Sequence, residues 1–214
     1  MKKLEGLIFD LDGTLADTLP HCLKSFQLTF EQVTGREFSD NEITKYFGLS
    51  EEGIIKKVLP DKYDECLNTF LEIYENNHHP YSKLFDGIIE ILEYAKNKGI
   101  KLAMVTGKGR GSADITLKYL NIGHYFEFVE IGSSEGLIKS EGIKRILSNW
   151  QIKKENVAYV GDAITDITES RDAGISPIAV SWASTTDHSS LITHNPHLIF
   201  SKTEDFMYWL NSIN

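Results

Sequence analysis

Asp10-Leu11-Asp12-Gly13-Thr14 closes an apolar run, Leu7-Ile8-Phe9, that reads as a short buried strand. Two carboxylates two positions apart at the mouth of a strand raise each other's pKa. A fold keeps such a pair where a metal ion or a chemical step uses it. Gly13 omits a side chain where the backbone has to come close to something, and Thr14 offers a hydroxyl. Asp and Gly also build plain acidic turns, so the meaning of this run depends on what the rest of the chain carries.

Working outward, residues 17–80 read as helices only. Thr18 with Pro20 marks a helix start, and Leu19, Leu23, Phe26, Phe30 and Val33 make one apolar face before Gly35. Ser39-Asp40 caps a second short helix, Ser50 a third that Pro60 stops, and a fourth covers Tyr63 to Asn76. From His78-His79-Pro80 onward the chain alternates. Helices are expected at 86–98, 112–119, 140–150 and 165–173, with a C-terminal one from Thr203. Strands are expected at 101–105, 127–131, 157–160, 177–180 and 198–200. Short apolar strands alternating with helices predict an α/β fold with a doubly wound, Rossmann-like parallel sheet. Residues 1–16 and 81–214 form that core, and 17–80 are a small α-helical domain inserted after the first strand.

In open parallel sheets, ligands bind outside the carboxyl ends of the strands, and four strand ends here carry chemistry. The first holds Asp10 and Asp12. The second is Thr106-Gly107, a hydroxyl and an unencumbered backbone N–H suited to phosphoryl oxygens. The third is Lys139 ahead of a helix, where a cation and a helix N-terminus both favour an anion. The fourth is Gly161-Asp162, with Asp166 four positions on and on the same helical face. Singly, each has a plain explanation as a turn, a surface lysine or a helix cap. Their order, one after another at successive strand ends, is what such explanations do not account for.

With these residues in place the chain resembles the haloacid dehalogenase superfamily, in its phosphoglycolate phosphatase-like and phosphomutase-like branch. The resemblance covers essentially the whole chain. It rests on DLDGT at 10–14, VTGK at 105–108, Lys139 and GDAITD at 161–166. Lys144, inside the following helix, is the alternative to Lys139. The helical insertion resembles the cap of these enzymes, and the short stretch between Ile131 and Lys139 has no room for a second one. The resemblance implies that Asp10 is the nucleophile forming an aspartyl-phosphate and that Asp12 is the general acid and base. It implies Mg²⁺ held by Asp10, the Asp12 carbonyl and Asp162, with Asp166 behind them orienting a metal-bound water. Thr106, the Gly107 N–H and Lys139 would take the phosphoryl oxygens. Four clustered carboxylates repel severely unless Mg²⁺ and Lys139 balance them.

The implied activity is Mg²⁺-dependent hydrolysis of a small, phosphoglycolate-like phosphate monoester. A β-phosphoglucomutase-type phosphomutase, a pyrophosphatase and a 5′-nucleotidase are the enzymatic alternatives. A phosphoacceptor signalling module also combines Asp, Thr, Lys and Mg²⁺ on a doubly wound sheet, but such modules are shorter, uncapped and accept phosphate on a later strand. Within the inserted block, the turn Phe47–Glu52 is the candidate for facing the substrate.

Composition narrows the partners. Lys and Arg number 22 against 31 Asp and Glu, a net charge of -9 over 214 residues, and no basic patch tracks a phosphate backbone. Nucleic acid is therefore not the expected macromolecular partner; a small phosphorylated metabolite is. No apolar stretch approaches the ~20 residues that span a bilayer, and the apolar run after Met1 is too short for a signal peptide. Two cysteines, Cys22 and Cys66, in helix-like segments fit a reduced, cytoplasmic chain. Gly107-Lys108-Gly109-Arg110-Gly111-Ser112 has the glycines of a nucleotide-binding loop but lacks its Gly-Lys-Ser/Thr ending. His78-His79 reads as a linker, and His188, His194 and His197 as part of a solvated loop.

Overall fold

The computed structural model describes residues 3–78, 82–136 and 138–213. The chain runs β1 (Gly6–Phe9), then helices α1 (Leu19–Thr34), α2 (Asp40–Thr44), α3 (Glu51–Val58) and α4 (Tyr63–Asn76). It continues α5 (Ile88–Asn97), β2 (Lys101–Val105), α6 (Arg110–Leu120), β3 (Phe128–Glu130), α7 (Lys139–Trp150) and β4 (Val157–Gly161). It ends α8 (Ile164–Ala173), β5 (Ser176–Val180), α9 (His188–Thr193), β6 (Leu198–Phe200) and α10 (Thr203–Ser212).

The strands form one parallel sheet in the order β3-β2-β1-β4-β5-β6. β1 lies at the centre, where the winding reverses direction and a crevice opens beyond the strand ends. Its register pairs Phe9 with Met104 on one side and with Val160 on the other. That pairing brings the ends of β1, β2 and β4 level, so Asp10, Thr106 and Asp162 emerge beside one another. All four β1 residues are buried, as a strand covered on both faces requires. Leu7 and Phe9 pack with Ile88, Leu92 and Phe206, and Ile8 faces the opposite way onto Ile143, Ile146 and Trp150.

The helices of residues 19–76 pack around a separate core of Phe26, Phe30, Ile43, Ile55, Phe70 and Tyr74, with both cysteines buried and unpaired. The chain leaves and returns along one seam: the Asp17 N–H donates to the Lys83 carbonyl at 2.8 Å and the Phe85 N–H to the Leu15 carbonyl at 3.2 Å. α1 starts after Thr18 with Pro20 in its first turn and stops at Gly35, whose φ is 71°. Among the described residues no helix is long and apolar enough to cross a membrane.

Three local expectations change. α5 begins at Ile88 rather than residue 86, because Gly87 adopts φ 84° and sets the helix start behind it. His78, in the stretch read as a linker, is buried. It is 1% exposed, stacks on Tyr119 with ring centroids 4.9 Å apart, and places Nε2 3.3 Å from Thr116 Oγ1. His79 and Pro80 lie outside the described residues. The segment around His188 is helical rather than loop, because the Asp187 carboxylate accepts from the N–H groups of Ser189 and Ser190 at 3.0 and 3.3 Å.

α10 closes the core with Phe206, which is fully buried and meets Phe9, Trp182, Phe200 and Trp209 at centroid distances of 5.4–6.4 Å. Phe206→Ala leaves a cavity among those rings and is expected to lower stability by about 3–5 kcal/mol. Urea denaturation followed by circular dichroism measures it; a loss under about 1 kcal/mol contradicts this account of the core.

Candidate active site

Lys139, the first residue of α7, turns its ammonium inward beneath the end of β1. Nζ lies 2.7 Å from Asp10 Oδ2 and 2.6 Å from Asp166 Oδ1, and all three residues are buried. The other oxygen of Asp10 accepts the Leu11 N–H at 2.7 Å, and the other oxygen of Asp166 accepts the Ala163 N–H at 3.0 Å. Asp166 thus caps α8 and anchors Lys139 with one carboxylate. Lys144 is exposed and pairs with Glu141 within α7, so Lys139 is the lysine that reaches the strand ends.

Asp162, just past β4, faces the turn that follows β1. Its Oδ1 accepts from Thr14 Oγ1 at 3.1 Å and its Oδ2 from Thr186 Oγ1 at 2.9 Å. Gly13 makes this approach possible: its φ is 74°, and a Cβ there would lie 2.2 Å from Asp162 Oδ2. Trp182 ties the same turn down by donating Nε1–H to the Thr14 carbonyl at 2.9 Å. Thr106 is buried, with its hydroxyl oxygen accepting the Lys108 N–H at 3.3 Å, and Gly107 opens onto the cleft.

Asp12 sits across the cleft. Its Oδ1 accepts from the Thr18 hydroxyl and lies 3.3 Å from Lys108 Nζ. Lys108 is 3% exposed, lies 4.8 Å from the centroid of the Tyr74 ring and 3.3 Å from Glu51 Oε1. Between these walls is a cavity of about 330 Å³. Asp10, Asp12, Gly107, Lys108, Lys139 and Asp162 line its sheet side, and Leu19, Cys22, Phe26, Phe47, Leu49 and Ile54 line its helical side.

Burial pushes the Asp10 carboxyl up to about 7, outweighing the pull of Lys139; the charge of Asp166 adds to the rise. Burial likewise pushes Asp162 up to about 8, with Asp166 and Asp10 adding like-charge repulsion. Burial opposes the ammonium of Lys139, yet Asp10 and Asp166 hold it above the usual lysine range. Lys108 is held well above that range too, its own burial opposed mainly by Asp12. Asp10, Asp162 and Asp166 offer ligand oxygens within 4.8 Å of one another. Two carboxyls that resist ionising side by side, with all-oxygen donors, fit a hard divalent cation.

The structure thus brings Asp10, Asp12, Gly107, Lys139 and Asp162 to one cavity, with Asp166 behind Lys139 and Thr106 buried one position before Gly107. Thr186 and Trp182 have no part in the sequence reading, where Thr18 stands only as a helix start and Lys108 only as the end of VTGK and part of the glycine-rich run. Lys108 lay inside the glycine-rich run but carried no signal that its side chain turns inward, and Thr186 sits in a polar loop far along the chain.

Comparison with known proteins follows the same lines. Residues 7–180 match the family model of haloacid dehalogenase-like hydrolases. A protein named for the pyrophosphatase PpaX in Caldanaerobacter subterraneus is 32% identical over 184 residues, 85% of this chain and 83% of that one. A phosphoglycolate phosphatase of Aquifex aeolicus is 29% identical over 205 residues, 94% of each chain. A haloacid dehalogenase-like family hydrolase from Streptococcus pneumoniae superposes with a TM-score of 0.79 at 25% identity, covering 98% of this chain and all of that one.

The raised carboxyls make stability depend on pH. An acid whose pKa is higher in the folded than in the unfolded chain stabilises the fold fully below the unfolded value, about 4. That contribution is lost as pH rises through the folded values of about 7 and 8. In chelator, the melting temperature is expected to fall between pH 5 and pH 8.5. Asp162→Asn should fall less steeply, and divalent cation should flatten the wild-type slope. Parallel slopes for wild type and Asp162→Asn in chelator contradict this electrostatic account.

Proposed function

The chain belongs to the haloacid dehalogenase-like hydrolase family and is a phosphatase; from that premise we propose that it is Mg²⁺-dependent and hydrolyses a small phosphate monoester through an aspartyl-phosphate. The observation that carries this reading is the Asp10 carboxylate, buried at the end of β1, gripped by Lys139 and flanked by Asp12 and Asp162. The reading takes the setting as cytoplasmic and the partner as a small phosphorylated metabolite.

Asp10 attacks phosphorus, and the bond to the leaving oxygen breaks as Asp12 gives that oxygen its proton. Asp12, now a carboxylate, then takes a proton from the water that attacks the aspartyl-phosphate, releasing phosphate and restoring Asp10. The Thr106 hydroxyl, the Gly107 N–H and the Lys139 ammonium bind the phosphoryl oxygens and the charge that builds on them. Asp10, the Asp12 carbonyl and Asp162 would hold Mg²⁺, which when bound supplies positive charge to the phosphoryl group and to these carboxylates. Asp166 grips Lys139 and lies behind Asp10 and Asp162, the place from which, as the family resemblance implies, it would orient a metal-bound water. Thr14 and Thr186 fix the face that Asp162 presents.

Residues 17–80 serve as a cap that closes over the site and excludes bulk water. Its hinges lie near residues 16–19 and 79–82, the latter partly outside the described residues. The Phe47–Glu52 segment selects the group beyond the phosphate. The relatives' names point to phosphoglycolate or pyrophosphate, and the lead reading is a phosphoglycolate-like ester. Phosphate release across a panel of phosphoglycolate, sugar phosphates, nucleoside monophosphates and pyrophosphate, with Mg²⁺ and with EDTA, tests this. Turnover of a monoester that EDTA abolishes supports it; a protein that cleaves pyrophosphate alone, or that ignores EDTA, refutes it.

Asp10→Asn is expected to abolish turnover while leaving the circular dichroism spectrum unchanged. Asp12→Ala should cost about 10²–10⁴-fold on an alkyl phosphate and far less on p-nitrophenyl phosphate, whose leaving group needs little protonation. Equal losses on the two esters would remove Asp12 as the acid.

A further inference from the structure

The mechanism above leaves one buried charged pair without a task. Lys108 comes from the loop after β2 and Glu51 from the first turn of α3, and both are under 5% exposed. Glu51 meets three donors: the Gly109 N–H, the Ser112 hydroxyl at 2.5 Å and Lys108 Nζ at 3.3 Å. The first two stand at the N-terminus of α6, which also favours a carboxylate. Lys108 Nζ lies 3.3 Å from Asp12 Oδ1, the same oxygen that accepts the Thr18 hydroxyl. Both groups that grip Asp12 therefore depend on the helical block: Thr18 leads directly into α1, and Lys108 is shared with Glu51 of α3.

We propose that Glu51 and Lys108 are positioning residues that place the Asp12 carboxylate for proton transfer only when α3 is docked against the sheet. The proposal rests on the reading of Asp12 as the acid and base. With α3 docked, the ammonium stands between two carboxylates and is held to neither alone. Asp12 is then fixed through Oδ1, leaving Oδ2 to exchange the proton. Without the Glu51 charge, Lys108 collapses onto Asp12 and draws it from the leaving oxygen. Without Lys108, the half-buried Asp12 and the buried Glu51 are two carboxylates on either side of a missing cation, which opposes docking. The contact is built closely. The Ser50 N–H donates to the Ser133 carbonyl at 2.9 Å, and a Cβ on Gly53 would meet the Ser134 carbonyl oxygen at 2.7 Å.

A double-mutant cycle of Lys108→Met and Glu51→Gln tests this. It is read by steady-state kinetics on an alkyl phosphate and on p-nitrophenyl phosphate, and by melting temperature without substrate. Lys108→Met is expected to lower kcat on the alkyl ester by about 10²-fold and on the aryl ester by under about tenfold, with KM little changed. Adding Glu51→Gln should restore about tenfold of the alkyl loss, because the facing carboxylates are then one. Glu51→Gln alone should show the same ester-selective loss in milder form, and it keeps the test alive if Lys108→Met does not fold. Equal losses on both esters, or losses that simply add, overturn the proposal. Melting temperatures whose changes add likewise overturn it, whether or not the protein turns over any ester. A wild-type protein that releases no phosphate from any substrate in the panel refutes the phosphatase reading instead, and the melting cycle still judges the pair.

Discussion

The architecture of the site depends on one ammonium held between two buried carboxylates. Lys139 links Asp10 at the end of β1 to Asp166 in the first turn of α8, from its own place at the start of α7. Burying a charge is expensive unless it is paired, and removing one member of a buried pair costs about 3–5 kcal/mol. The three elements therefore have to meet at one point to within a hydrogen bond. The parallel register of β1 with β2 and β4 satisfies that demand, and the adjacent positions of Thr106 and Asp162 come with it. The same enclosure that makes the cluster costly keeps its charges unscreened, which is the condition for strong electrostatic work on a phosphoryl group.

The cavity divides its labour between the two parts of the chain. The sheet side supplies nearly all the charge, and the helical side supplies aliphatic and aromatic side chains with Glu51 as its charged exception. Glu51 does not face an empty site; it pairs with Lys108 and the start of α6. On the proposal made above, a second cation shared across the cleft couples docking of the helices to the proton donor, while Lys139 stays with the sheet. Phosphoryl chemistry and recognition of the remaining substrate can then vary separately, as expected where loops and insertions carry specificity on a fixed scaffold.

Much of this was legible in the sequence because the signals are local. Asp10, Asp12 and Asp162 each follow a short apolar run, so strand and functional end are read together. Pro20 and Gly35 bracket α1 through backbone preferences that act within a few residues. What the sequence left open was set by long-range geometry. Whether Lys139 or Lys144 reaches the site depends on which residue begins α7 and faces β1. Lys108 looked like one polar residue in a glycine-rich loop, yet the partner segment that buries it lies far back, with Glu51 58 positions before Gly109. His78 read as part of a break because its neighbours are His79 and Pro80, whereas Tyr119 and Thr116 bury it. The helix at His188 was missed because its short apolar content is weak; only the Asp187 cap marks it.

The central claim is that Asp10 carries the phosphoryl group. An acyl-phosphate is reduced by borohydride to the corresponding alcohol, whereas a free carboxylate is not, so trapping during turnover followed by peptide mass spectrometry reads the nucleophile directly. The account predicts conversion of Asp10 to homoserine, only with substrate and Mg²⁺ present. An unmodified Asp10 in an enzyme that is turning over, or homoserine at Asp12 or Asp162 instead, would contradict it.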